Sequence, residues 1–533
     1  MHSGQALPTT LHPGVAGLPV TTAPALRAPT PGNTDASRFT GSLLPSRNRV
    51  RVPRFIVLLA CIVGEVALAL AMKSVPTIGL IQAGAIVAVG CYSGLRGDIS
   101  KVLCVIGYVT GTEVLWRQVR PPLPYQAAPY LAVGFALITV LFRIRRINGL
   151  GRRALLYLGL LVPSIVITIQ TGGSDARELV AFALSGPAAL VAILLLTSQV
   201  RSNMMAYRRL LWVTLISTVG PLTVGIQDIR SVLSAHEAIR FTKQSNFVTS
   251  GGFGPVQVSS VLGMGILCGV LLIIAERDRL VRLLAVPLTL ALTVQTLLTF
   301  SRGGSFATAI ALSILFITQT TDRRIRNRMI VIATVTLVVA QTILFPWLND
   351  FTSGKFQERF SDTRSGRTEL AANDLTIFRR NFLFGVGPGM TKYQRLTYEV
   401  CQLRADRCAN EASSHTEFTR MVSEHGLPGI GAIVVMATMV VGLLKRPRRG
   451  RPLALAWMGW AIAQMFYANL RVVAIPFAFA IAFITVTDWG TQRHPDSSED
   501  DELPHDPSGR QRVSVDVGDV HRAEGLDPRL AGV

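Results

Sequence analysis

VQVSSVLGMGILCGVLLIIA, residues 256–275, is twenty consecutive residues without a charge. At 1.5 Å per residue, a helix of that length crosses the ~30 Å hydrocarbon core of a bilayer. A short polar ERDR follows, then a second apolar run at 279–300, then the turn FSRGG, then a third run at 303–319. The same alternation extends in both directions, with further runs at about 54–72, 76–93, 101–116, 126–142, 153–170, 178–197, 209–226, 328–346, 427–444, 452–469 and 471–487. Composition agrees. Of 533 residues, 49% are hydrophobic and 16% charged, and the mean hydropathy is +0.41, which is too apolar for a soluble domain or a disordered one. The expected fold is an all-α polytopic membrane helix bundle of about 12–14 transmembrane helices. The run at 101–116, KVLCVIGYVTGTEVLW, is the weakest of the set.

The net charge of +21 would suit nucleic acid if it lay on one face. Here the basic residues sit in short clusters between apolar runs, which is the positive-inside pattern. With the N-terminus inside, the inner loops and their flanks hold about 22 Lys and Arg, including RIRRINGLGRR (143–153), DRRIRNR (322–328) and KRPRRGR (445–451). The six short outer loops hold about 9. Both termini are therefore expected in the cytoplasm of a bacterial cell whose cytoplasmic membrane holds the bundle. The expected organisation is a disordered tail at 1–50, a helix bundle at 51–346, an extracytoplasmic loop domain at 347–426, further membrane helices at 427–488 and a disordered tail at 489–533. No nucleic-acid partner is expected.

A loop of 80 residues between spans is far longer than a connection requires, and such loops usually carry function. This one holds a helical stretch, RTELAANDLTIFRRN, then the turn-rich FGVGPGM, then Cys401 and Cys408, then SSHTEFTRMVSEHGLPGIG leading into the next span. Short helices lying over the outer face are expected. Compartment and proximity favour a small disulfide between Cys401 and Cys408 over two free thiols.

Three of these segments carry a resemblance: SRGGSF (301–306), GRTELAANDLTIFRRNFLFGVGPGMTKY (366–393) and SSHTEFTRMVSEHGLPGIG (413–431). Together they resemble the signatures of the O-antigen ligase and Wzy-type polymerase superfamily. GGFGPVQVSSVLGMG (251–265) is similar to a further element of that family, with Val256 where the usual residue is Asn. The resemblance implies a GT-C-like membrane glycosyltransferase. Its donor would be a glycan on a polyprenyl-pyrophosphate carrier, its acceptor a hydroxyl of a glycan or lipid-linked glycan, and its surroundings membrane lipids.

That chemistry asks for a base at the acceptor hydroxyl and for cations at the pyrophosphate leaving group. Five of the 8 His (His2, His12, His494, His505 and His521) lie in the tails. Of His236, His415 and His425, only His415 stands in a family motif before the helix, and its ordinary pKa suits proton acceptance near neutrality. His415 is the expected catalytic base, and His425 is expected where the helix starts. Arg302 begins a span beside Gly303 and Gly304, at a position where the family also matches, and its planar fork suits phosphate oxygens. Arg240 is a second expected pyrophosphate ligand. Glu424, Arg379 and Arg380 are supporting candidates, the two arginines being equally suited to anionic headgroups. No carboxylate cluster such as D-x-D stands on the outer side, so neither a metal nor another cofactor is expected. Two other classes fit a polytopic bundle: a transporter or flippase of lipid-linked glycans, which would need polar groups at mid-membrane, and a non-catalytic subunit of an envelope machine.

The charge distribution fixes a topology test. A reporter active only outside the cytoplasm should be active when fused after residue 400 and silent when fused after residue 448. The reverse pattern would overturn the map.

Overall fold

A backbone in lipid must pair its polar groups within its own segment, so apolar runs of this length form helices. The computed structural model describes residues 53–242, 244–319, 323–361, 367–397, 414, 416–446, 450–467, 470 and 472–487, all within the unit Pro53–Val533. Both tails, Cys401, Cys408 and His415 lie outside the described residues. The first seven spans are α1 (Arg54–Ser74), α2 (Ile78–Leu95), α3 (Ile99–Val119), α4 (Ala127–Arg143), the pair α5 (Gly149–Leu161) and α6 (Ile165–Thr171), α7 (Ala176–Thr197), and the pair α8 (Met204–Ser217) and α9 (Val219–Ser234). After a loop come α10 (Pro255–Ala275), α11 (Arg279–Leu298), α12 (Arg302–Thr318) and α13 (Arg323–Val339), which runs through a π-helical turn into α14 (Phe345–Phe351). Three short helices follow in the long polar segment: α15 (Lys355–Ser361), α16 (Arg367–Arg380) and α17 (Thr391–Thr397). α18 (Glu417–Leu444), α19 (Arg451–Met465) and α20 (Ala474–Ile481) complete the bundle. Each apolar run read from the sequence falls on one of these helices or helix pairs. Ten helical spans among the described residues are long and apolar enough to cross a membrane. The one parallel strand pairing described, Arg201–Ser202 with Thr485–Val486, is two residues long.

The weakest run in the sequence is one of the most enclosed helices in the structure. α3 is buried along most of its length, because small residues let neighbours approach it: a Cβ at Gly111 would stand 2.3 Å from the Ser217 carbonyl oxygen. The hydroxyls of Thr110 and Thr112 are absorbed by the carbonyls of Gly107 and Tyr108, at 2.7 and 3.0 Å. α3 also carries charge within the bundle. Glu113 pairs with Arg117 at 2.5 Å and accepts from the Val473 N–H at 2.7 Å, just ahead of α20. Glu65 of α1 accepts from Tyr108 at 2.7 Å, and Gln82 links that tyrosine to Trp116. Such groups are stable in a bundle interior only with partners of this kind.

Ion pairs mark the two ends of the bundle. At one end, Glu276 after α10 takes Arg54 of α1 and Arg208 of α8, both at 3.1 Å. At the other, Lys73 at the end of α1 pairs with Asp228 of α9 at 2.7 Å. The second end carries α15 to α17 and the described site candidates Arg240, Arg302, Arg379, Arg380 and Glu424.

Between α10 and α12 the backbones nearly touch. The Thr308 hydroxyl donates to the Gly263 carbonyl at 2.8 Å, and a Cβ at Gly304 would stand 1.8 Å from the Ser259 carbonyl oxygen. This is the small-residue contact by which membrane helices associate when no hydrophobic force draws them together. Gly304→Ala should therefore force the two helices apart, costing about 1–3 kcal/mol or more by overpacking, and should lower the yield of monodisperse protein in detergent. Gly134→Ala, where nothing lies within 4 Å, is the control and should leave the yield unchanged. Equal yields from the two variants would contradict this packing.

Candidate functional site

Arg302 is the first residue of α12 and is half-buried. The chain arrives there through Phe300, a buried residue held at φ +55°, a conformation that costs a bulky side chain about 1–3 kcal/mol. Phe300 stacks on Phe241 with ring centroids 5.0 Å apart and meets Phe356 of α15 edge-on at 6.2 Å. With Leu297, Leu298 and Leu348 these rings form a second small core, separate from the main one. The same turn is held by the Asn246 N–H on the Thr299 carbonyl at 2.9 Å. Ser301 is fixed by the Ser259 hydroxyl at 2.9 Å, so the segment 251–265 bears directly on the segment 301–306. Arg240, the residue before Phe241, is exposed, and its chain is tied to Arg302 by the ring stack. The sequence reading missed Arg359 of α15, whose Nε donates to the Phe300 carbonyl at 3.1 Å. No sequence spacing links it to Arg302, because α15 reaches that turn only through tertiary packing.

The second half of the site is built where α18 breaks. The sequence reading put His425 where the helix starts and began the span at 427. The structure adds a short helix before it: α18 begins at Glu417 and breaks at Gly426, at φ +64° and ψ −139°, so His425 stands directly before the part that forms the span. Pro428 has no N–H to give the Glu424 carbonyl, and the Leu427 N–H turns away to the Phe382 carbonyl at 2.8 Å. Two carbonyls are thereby orphaned inside the protein, where an unpaired polar group is expensive. The turn FGVGPGM supplies the missing donors: the Val386 N–H reaches the Ser423 carbonyl at 3.0 Å, and the Gly387 N–H reaches the Glu424 carbonyl at 2.9 Å. Backbone this close tolerates no side chain. A Cβ at Gly385, itself at φ +70°, would stand 2.4 Å from the Glu424 carbonyl carbon. The two motifs 366–393 and 413–431 are thus one interlocked piece.

Around this joint lies a set of buried charges that the sequence reading did not assign. Glu424, a supporting candidate, accepts from Arg420 at 2.8 Å. Arg420 also holds Glu417 by two bonds of 2.5 and 3.1 Å and reaches the Ala183 carbonyl of α7 at 3.4 Å. Asp374 of α16 pairs with Arg395 of α17, and both are buried. Arg395 donates further to the Ser414 hydroxyl at 3.1 Å, while its Nε and Nη1 find no hydrogen-bond partner among the described residues. His425 is fully buried, its Nδ1 2.5 Å from the Ser164 hydroxyl between α5 and α6. Arg379 and Arg380 are exposed on the last turn of α16. Among the described residues no group of three His, Cys, Asp or Glu side chains could hold a metal ion.

One stretch joins the two halves. At the end of α19, Gln464 donates to the Gly303 carbonyl at 3.4 Å and accepts from the Ser260 hydroxyl at 2.8 Å. Tyr467 closes on Gly303, and Phe466 packs against Phe418 in a tilted pair with centroids 4.7 Å apart. The Leu470 N–H donates to Glu417 at 3.1 Å. The starts of α12 and α18 therefore share a wall. His415 lies outside the described residues, but the residues on both sides of it, Ser414 and Thr416, belong to this end of the bundle.

Residues 287–434 match the family model Wzy_C, described as O-Antigen ligase. No curated protein matches the chain. The family match supports the resemblance to the O-antigen ligase and Wzy-type superfamily read from the sequence. It spans α12, the interlocked turn and the kink of α18, together with Arg302, Asp374, Arg395, Glu417, Arg420 and Glu424. It supports a membrane protein that ligates or polymerises glycans. Arg240, the segment 251–265 and the end of α19 lie outside the match, yet the fold brings the last two against it.

The joint has a direct test. Gly385→Ala combines a left-handed backbone with a collision against the α18 backbone, so it should destabilise the protein by more than about 1 kcal/mol. A lowered melting temperature in detergent is the expected result, and an unchanged one would refute the interlock.

Proposed function

We propose that this protein is a metal-independent glycosyltransferase that moves a glycan from a polyprenyl-pyrophosphate carrier to a hydroxyl acceptor at the outer face of the bacterial cytoplasmic membrane. The observation that carries the proposal is the shared wall between the starts of α12 and α18, which sets Arg302 and the flanks of His415 at one end of the bundle. In this reading His415 accepts the proton of the acceptor hydroxyl as its oxygen bonds to the anomeric carbon of the donor. The bond from that carbon to the pyrophosphate oxygen breaks, and the carrier pyrophosphate leaves with the electron pair. A single displacement of this kind inverts the anomeric centre.

Arg302 takes the pyrophosphate, because a guanidinium fork can meet two phosphate oxygens at once. Arg240 and Arg359, tied to the same turn through Phe241 and the Phe300 carbonyl, add positive charge beside it. The starts of α10, α12 and α18 add the positive ends of their dipoles. Glu424 contributes indirectly, by holding Arg420 under the kink. Arg379 and Arg380 suit anionic headgroups at the surface. A flippase would put its polar work in the middle of the bundle, where Glu65 is engaged with Tyr108.

The glycan and carrier-lipid profile of a deletion strain tests the reading. Long chains accumulating on the carrier mean a ligase and single repeat units mean a polymerase, whereas an unchanged profile overturns the proposal. On the purified protein, His415→Ala should slow transfer by about 10² to 10⁴-fold with donor binding nearly intact, the usual contribution of one general base. Arg302→Lys should lose both transfer and donor binding, since a point charge does not replace a fork. Wild-type transfer by either variant would remove that residue from its role.

A further inference from the structure

We propose that Asp374 is a positioning residue that holds the side chains on both sides of His415. The inference rests on the reading of His415 as the base. Asp374 lies in α16, some forty residues before the histidine, and is buried. Its two carboxylate oxygens are used separately. One accepts from Arg395, and Arg395 in turn donates to the hydroxyl of Ser414 at 3.1 Å. The other accepts from the Thr419 hydroxyl at 2.8 Å, and that hydroxyl lies 2.7 Å from the hydroxyl of Thr416, which caps the start of α18 through the Thr419 N–H at 3.2 Å. The residue before His415 and the residue after it are therefore both tied to one carboxylate, by arms that run through different elements.

The donors form a consistent set. Thr416 donates to Thr419, Thr419 donates to one oxygen of Asp374, and Arg395 fills the other while holding Ser414. An ionised carboxylate is an acceptor only, so it can anchor donors from two directions at once. Asp374→Ala removes both acceptor oxygens and so releases both flanks. A general base needs a fixed distance to the proton it abstracts, and a small misplacement by a remote change is enough to slow the step. The clamp acts on turnover through His415 and makes no contact with the carrier pyrophosphate in this reading.

The test uses the full-length protein in detergent, with carrier-linked glycan purified from the deletion strain as donor. Asp374→Ala should lower kcat by about 10 to 100-fold and leave the donor KM within about two-fold. In the His415→Ala background the same change should lower the residual rate by less than about two-fold, because a residue acting through another loses its effect when the other is gone. The rate at which diethylpyrocarbonate modifies His415, read by mass spectrometry, should shift several-fold in Asp374→Ala while that of His236 does not. Where Asp374→Ala fails to accumulate, Ser414→Ala and Thr419→Val each sever one arm and should each lower kcat by about 3 to 10-fold. Wild-type kcat in Asp374→Ala or in both single-arm variants, an equal loss in the two backgrounds, or an unchanged His415 modification rate overturns the clamp. A wild-type rate in His415→Ala overturns the base assignment instead.

Discussion

The structure depends on a broken helix whose loose ends are tied by another segment. At Gly426 and Pro428, α18 gives up the hydrogen bonds that would have served the carbonyls of Ser423 and Glu424, and the N–H groups of Val386 and Gly387 take their place. The turn at 384–390 thus completes a membrane helix from outside it. Because the bonds are backbone to backbone, they set position to within a fraction of an ångström, without depending on any side chain's choice of rotamer. α16 and α17, on either side of the turn, inherit that position, and with them come Asp374 and Arg395.

Buried charge is costly, and this end of the bundle holds a good deal of it. Glu417 and Glu424 flank Arg420 within the first turns of α18, leaving one net negative charge at the end of the helix where the dipole is positive. The Leu470 N–H reaches the same carboxylate from the far side. Arg420 and Glu417 are each held by more than one bond, and removing a single partner from such a buried pair typically costs about 3–5 kcal/mol. The set is better understood as scaffolding for the start of α18 than as reacting groups.

Much of the architecture could be read from the sequence, because bilayer thickness imposes a length on every span and helices answer that demand locally. The run at 256–275 needed nothing but its own composition. α3 was harder, since Gly107, Gly111, Thr110 and Thr112 weaken its apolar signal for the same reason that they allow its burial. In the site, Arg302 was legible through its place at the start of a span and through the motif around it. Asp374, Arg395 and Arg420 were not, because in the sequence they look like the ordinary charges of an exposed amphipathic helix. Only their partners, tens of residues away, show them to be buried. Arg359 escaped for a related reason: a small aromatic core, invisible in the local pattern, carries it to the turn before Arg302. The glycine and proline after His425 were legible as a boundary, but the short helix that precedes them, Glu417 to His425, was not, because its buried charges read as those of a loop.

The wall that joins α12 to α18 is made of Gln464, Phe466, Tyr467 and Leu470, and it bears on the order in which the molecule is built. These residues leave the ribosome after α1 through α18, when the arginines and the interlocked turn have already been made. Until they arrive, Gly303 lacks the contact of Gln464, and Glu417 lacks the N–H of Leu470. The two halves of the site therefore come into register late in biogenesis, once the bundle around them is nearly complete. A chain cut short before α19 would carry every residue of the matched family segment and still lack the wall that brings them together.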